Sequence, residues 1–89
     1  MKKRLDKVIR KMILPVWPAI ESFTIEETEG RTIGGDDVRV YKVIYVLKED
    51  FSPRFYGLLD DTKNIFNMLS PNEDERINVF CELPSDKNI

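Results

Sequence analysis

The groups able to do chemistry in this 89-residue chain are carboxylates and bases, because it has no histidine and a single cysteine, Cys81. Adjacent acids occur at Glu26-Glu27, Asp36-Asp37, Glu49-Asp50, Asp60-Asp61 and Glu73-Asp74-Glu75. Such groups can hold a hard cation such as magnesium or calcium through oxygen. None has the interleaved spacing of a calcium loop. General acid–base work needs two carboxylates in a cleft with their pKa values held apart, and the turns and helix starts where most of these acids fall seldom build one. Solvated surface is their expected place. The absence of histidine excludes Ser-His and Cys-His nucleophilic pairs, and one thiol cannot furnish a zinc site. The glycines at 30, 34 and 35 follow a strand pattern but open no helix, and no Gly-Lys-Ser/Thr accompanies them, so they are turn residues and not a phosphate loop. The expectation is a protein without catalytic activity, cofactor or metal.

The bases are unevenly spread. Residues 1–14 hold six basic residues against one acid, Asp6, while the remainder holds eight bases and fifteen acids, within a net charge of −2. An asymmetry of this kind marks either a solvated, lysine-rich helix face or a basic arm for nucleic acid or an anionic membrane. Lys3, Arg4, Lys7, Arg10 and Lys11 are the candidate phosphate contacts of the second reading.

Size and composition frame these groups. The chain is one domain, residues 1–89, with 42% apolar and 34% charged residues, a globular composition. No apolar run is long enough to span a bilayer, and Asp6, Arg10 and Lys11 interrupt any signal-peptide core. A lone cysteine forms no intrachain disulfide, which points to a cytoplasmic compartment.

The elements follow from periodicity. Leu5, Val8, Ile9, Met12 and Ile13 form one helical stripe, predicting an amphipathic helix over 3–14. Pro15 and Pro18 end it, and Trp17 between them is expected to plug the end of a core. Residues 22–29 alternate as a half-exposed strand. Gly34-Gly35 supplies two-residue hairpin chemistry, and that turn pairs Phe23 with Val46, Ile25 with Ile44, and Glu27 with Lys42. Ser52-Pro53 reads as a helix start, Ser at N-cap and Pro at N1, with Asp60 or Asp61 as the alternative cap. Phe55, Leu58, Leu59, Thr62, Ile65, Phe66 and Leu69 then keep helical spacing, and Ser70-Pro71 stops the helix. Asn72–Glu75 is an acidic loop. Residues 76–83 alternate with Ile77, Val79, Cys81 and Leu83 on one face, which makes Cys81 a small buried hydrophobe. Residues 83–89 read as a frayed tail.

The resulting fold class is α+β: helix-strand-strand-helix-strand, a three-stranded mixed sheet with both helices on one face. A right-handed crossover makes the second and third strands parallel. The run 38–47 is apolar on both its faces, and two helices cover only one. In the tight-turn register the uncovered face carries Tyr41, Val43, Tyr45, Leu47 and Phe80, although a one-residue slip would exchange the faces. Contiguous apolar patches mark interaction surfaces, so these five are the candidate partner-binding residues, with a homodimer as the leading occupant, another protein as the next and stacked single-stranded nucleic acid as the third. The competing reading is that the first helix or residues 15–20 fold over this face and make it core.

The element order is similar to that of K-homology-like and BolA-like small α+β domains. That resemblance implies a nucleic-acid-binding module using the basic first helix. The Gly-x-x-Gly clamp of a K-homology domain and the histidine-bearing features of BolA-like proteins are missing here.

Overall fold

The computed structural model describes residues 1–70 and 74–87. Helix α1 (Lys2–Val8) runs without a break into a π-turn, Ile9–Ile13, closed by the Leu14 amide donating to the Ile9 carbonyl at 3.1 Å. The expected stop at the prolines is present: Val16 and Trp17 amides both donate back to Ile13, and the chain turns into β1 (Ile20–Arg31). A hairpin leads to β2 (Asp37–Leu47). A 3-10 turn, Pro53–Phe55, with extended Ser52 at its N-cap, opens α2 (Tyr56–Leu69). The Pro53 start therefore prevails over a later one at Asp60. Strand β3 (Glu75–Glu82) closes the sheet, followed by a 3-10 turn, Pro84–Lys87, where the sequence suggested a frayed tail. Glu75 of the expected acidic loop is the first residue of β3, whereas Pro71, Asn72 and Glu73 lie outside the described residues.

The sheet order is β1-β2-β3, antiparallel between the first pair and parallel between the second. The long β2 is central and both helices lie on one of its faces, as a small α+β domain requires. Leu5, Ile9 and Ile13 from the first helix and Phe55, Leu58, Ile65 and Phe66 from the second reach that face, each at most 9% exposed. Trp17 closes one end against Phe55, with ring centroids 5.8 Å apart. Its indole lies over Gly57, where an added Cβ would meet the ring at 3.4 Å, an ordinary van der Waals contact. No helix among the described residues is long and apolar enough to cross a membrane.

The hairpin departs from the expected turn by one residue. Thr32 pairs with Asp36 (its amide donates to the Asp36 carbonyl at 2.9 Å), and Ile33, Gly34 and Gly35 form a three-residue loop. The Gly35 amide closes the turn onto the Thr32 carbonyl at 3.0 Å, and Gly35 alone has a positive φ, +85°. This matches a type I turn followed by a left-handed residue, the usual three-residue hairpin. A two-residue type I′ turn needs positive φ at both central positions, and Gly34 does not supply it. One extra loop residue moves every β2 side chain to the opposite face. Phe23 accordingly pairs with Tyr45, Ile25 with Val43 and Glu27 with Tyr41.

Candidate interaction face

The register decides which residues of β2 are available. Tyr41, Val43, Tyr45 and Leu47 lie under the helices at 2%, 0%, 0% and 1% exposure. The expected uncovered patch is corrected at these four positions: they are core, because the three-residue loop turns their side chains toward α1 and α2. Phe80, the fifth, is on the open face and 47% exposed. Facing the open side instead are Val38, Val40, Lys42, Ile44 and Val46. The β1 and β3 assignments need no such correction. Ile44 sits between Thr24 and Phe80, Lys42 between Glu26 and Asn78, and Val40 between Thr28 and Arg76. Both β2 faces are largely apolar, and the one signal that separates them is Lys42, a charge in mid-strand between Val40 and Ile44 that marks their side for solvent; the two-residue turn assignment overrides it.

The open face is an apolar ridge with a mixed-charge surround. Val40, Ile44 and Val46 are half-buried by their neighbours in the sheet, and Val38 is nearly covered at 9%. Phe80 projects beside them, and the Lys42 Nζ lies 5.0 Å from its ring centroid. A cation over an aromatic face is attracted by the ring quadrupole. Glu26 is the cross-strand neighbour of Lys42, and Glu82 that of Val46. With Arg76 on the same face, the strands carry two acids and two bases there, for no net charge.

The covered face holds its polar groups in pairs. The Tyr45 hydroxyl lies 2.7 Å from Thr62 Oγ1, which itself donates to the Leu58 carbonyl at 2.9 Å. Thr62 has one hydroxyl hydrogen, so Tyr45 is the donor in the first contact. Burial pushes the Tyr45 phenol up to about 12. Tyr41, packed on Phe66 at 5.8 Å, is also raised by burial and by a hydrogen bond to Glu75. Cys81, half-buried toward the helices, is raised by burial as well, which keeps it a thiol.

The sequence-adjacent acids are split between faces and partners. Adjacent strand residues point to opposite faces, so Glu26 and Glu27 separate, and Glu27 pairs with Arg39 at 3.1 Å. Asp61 accepts from the Trp17 indole at 3.2 Å, and Glu49 pairs with Arg54. Beyond the end of α1, a cleft of about 530 Å3 is lined by Met1, Glu29, Asp37, Val38, Arg39, Tyr41, Asp74 and Glu75. Among the described residues no group of three or more acidic or thiol side chains is placed to share a metal ion.

The candidate phosphate contacts fall into two classes. Arg10 is engaged: it pairs with Asp6 at 2.8 Å and stacks over Phe23 at 4.9 Å. Lys3, Arg4, Lys7 and Lys11 are exposed on the outer side of the first helix, away from the open sheet face. No family model matches the chain, and no curated protein or solved structure does.

Proposed function

We propose that this is a small non-catalytic cytoplasmic protein that acts through protein–protein contact, forming a homodimer through the open face of its sheet. The observation behind this reading is that β2 is apolar on both faces while the helices cover only the side of Tyr41, Val43, Tyr45 and Leu47. Val40, Ile44, Val46 and Phe80 are left with no layer above them. Apolar surface of this kind is best removed from water by a second sheet stacked about 10 Å away.

A second copy suits the face because its charges are balanced. A twofold axis lying across the strands at the Ile44–Phe80 row would set Ile44 and Phe80 against their own counterparts. It would also turn Lys42 toward Glu82 of the second copy. An isologous contact of this type needs only one self-complementary patch. Three strands spaced ~4.8 Å apart and about eight residues long give a plan area of roughly 400 Å2, at the small end for a specific interface. The expected dimer is correspondingly modest, with a Kd between roughly 1 and 100 μM.

Sedimentation equilibrium across that range tests the reading. The wild type should move from monomer to dimer. Phe80→Ser, at an exposed position, should keep the monomer's circular dichroism and raise Kd at least tenfold, by about 1 kcal/mol or more per truncated aromatic in each copy. A wild type that stays monomeric up to ~1 mM, or a Phe80→Ser variant that associates like its parent, overturns the proposal.

A further inference from the structure

The outer side of the first helix carries a row of positive charge. Leu5, Ile9 and Ile13 recur every fourth residue, and all three are buried at 0%, 0% and 1% exposure. In an α-helix of 3.6 residues per turn such a row drifts round the axis by roughly 40° per step. The π-turn at Ile9–Ile13 takes more residues per turn and cancels part of that drift, so the inward stripe keeps to one side. The outer stripe is Lys3, Lys7 and Lys11, also at every fourth position, all exposed, with exposed Arg4 beside them and Lys3 at the flank, where it borders a hollow with Lys2, Asp6 and Ile25. Asp6, the one acid of this segment, is neutralised by Arg10 at 2.8 Å. Four residues at ~1.5 Å each space the crest lysines about 6 Å apart along the axis.

We infer that this crest is a binding site for the phosphate backbone of a nucleic acid, engaged without reading base sequence. A row of evenly spaced ammonium groups complements a linear polyanion with one charge per nucleotide. A bilayer fits the helix less well. Interfacial helices bind by burying an apolar face among the acyl chains, and here that face is spent on the core, leaving Met12 at 52% exposure as the large apolar side chain it shows to solvent. The acidic remainder of the chain repels polyanions and restricts contact to this one side. The site rests on α1 and not on the open sheet face, so it stands whether or not the protein dimerises.

Fluorescence anisotropy with a labelled oligothymidine and a labelled mixed-sequence duplex tests it on the full chain. Four phosphate contacts, from Lys3, Arg4, Lys7 and Lys11, predict an affinity that falls roughly 50-fold for the single strand and roughly 150-fold for the duplex between 50 and 200 mM salt. The triple variant Lys3→Gln, Lys7→Gln, Lys11→Gln should keep its helical circular dichroism and lose most of that salt slope, while Lys63→Gln on α2 should bind like the wild type. No anisotropy change at low salt overturns the inference, as does binding unaffected by the triple substitution. Capture by phosphatidylserine vesicles with neither oligonucleotide bound also overturns it and assigns the crest to a membrane surface.

Discussion

Tyr45 has its ring in the core and its hydroxyl on Thr62, and its chemistry is structural. Removing the hydroxyl deletes one buried hydrogen bond while Thr62 still has the Leu58 carbonyl to donate to. Tyr45→Phe should therefore cost about 1 kcal/mol at neutral pH, read from the urea midpoint. The same residue predicts an alkaline limit. A tyrosine ionises near 10 in an unfolded chain, and burial raises Tyr45 to about 12 in the fold. The native state then holds its proton more tightly. The stabilisation is complete below pH ~10 and is lost as pH rises from ~10 through ~12, by roughly 3 kcal/mol in all. Tyr41, shifted in the same direction, adds to the fall. Urea midpoints measured across this range should drop for the wild type and less steeply for Tyr45→Phe; equal slopes would show that Tyr45 ionises freely in the fold.

The element that matters most is the five-residue segment between β1 and β2, because its geometry assigns every β2 side chain to a face. Two glycines in sequence suggested a two-residue turn. The backbone uses one of them, Gly35, at φ +85°, and carries Gly34 in an ordinary conformation with open surroundings. Alanine at 35 meets the left-handed penalty of roughly 1–2 kcal/mol. Alanine at 34 meets only contacts of 3.8 Å or more and should be close to neutral. Thermal denaturation of the two variants distinguishes the loops, since a two-residue turn would make both substitutions costly. The other elements were legible for simple reasons. The stripe Leu5, Ile9, Ile13 appears at helical spacing, Phe23 and Ile25 alternate with Thr24 and Glu26, and Ser52-Pro53 marks a helix start.

At the scale of the whole molecule, two layers leave one side of the sheet uncovered and put the basic crest on the far side. Paired sheets would bury the first surface and leave two crests pointing outward. Association also couples to stability. When a dimer is the folded form, its melting temperature rises with protein concentration. For a domain of this size the rise should be about 4 °C per tenfold increase once the protein is mostly dimeric. Phe80→Ser should show this dependence only at concentrations at least tenfold higher, and a concentration-independent melting temperature for the wild type would contradict the dimer by a second route.

Composition and periodicity alone determined that this is an α+β domain with a central strand greasy on both sides, a basic first helix, and no histidine chemistry. Those properties are local, carried by residue type and by spacings of two or four. Which side of that strand meets the helices was settled in three dimensions. Val40, Ile44 and Val46 are as apolar as Val43 and Leu47, and Lys42 between them is the one residue in the sequence that marks their side for solvent. The choice fell to the conformation of a single glycine in the hairpin, and that conformation is selected by the packing of the entire sheet against its helices.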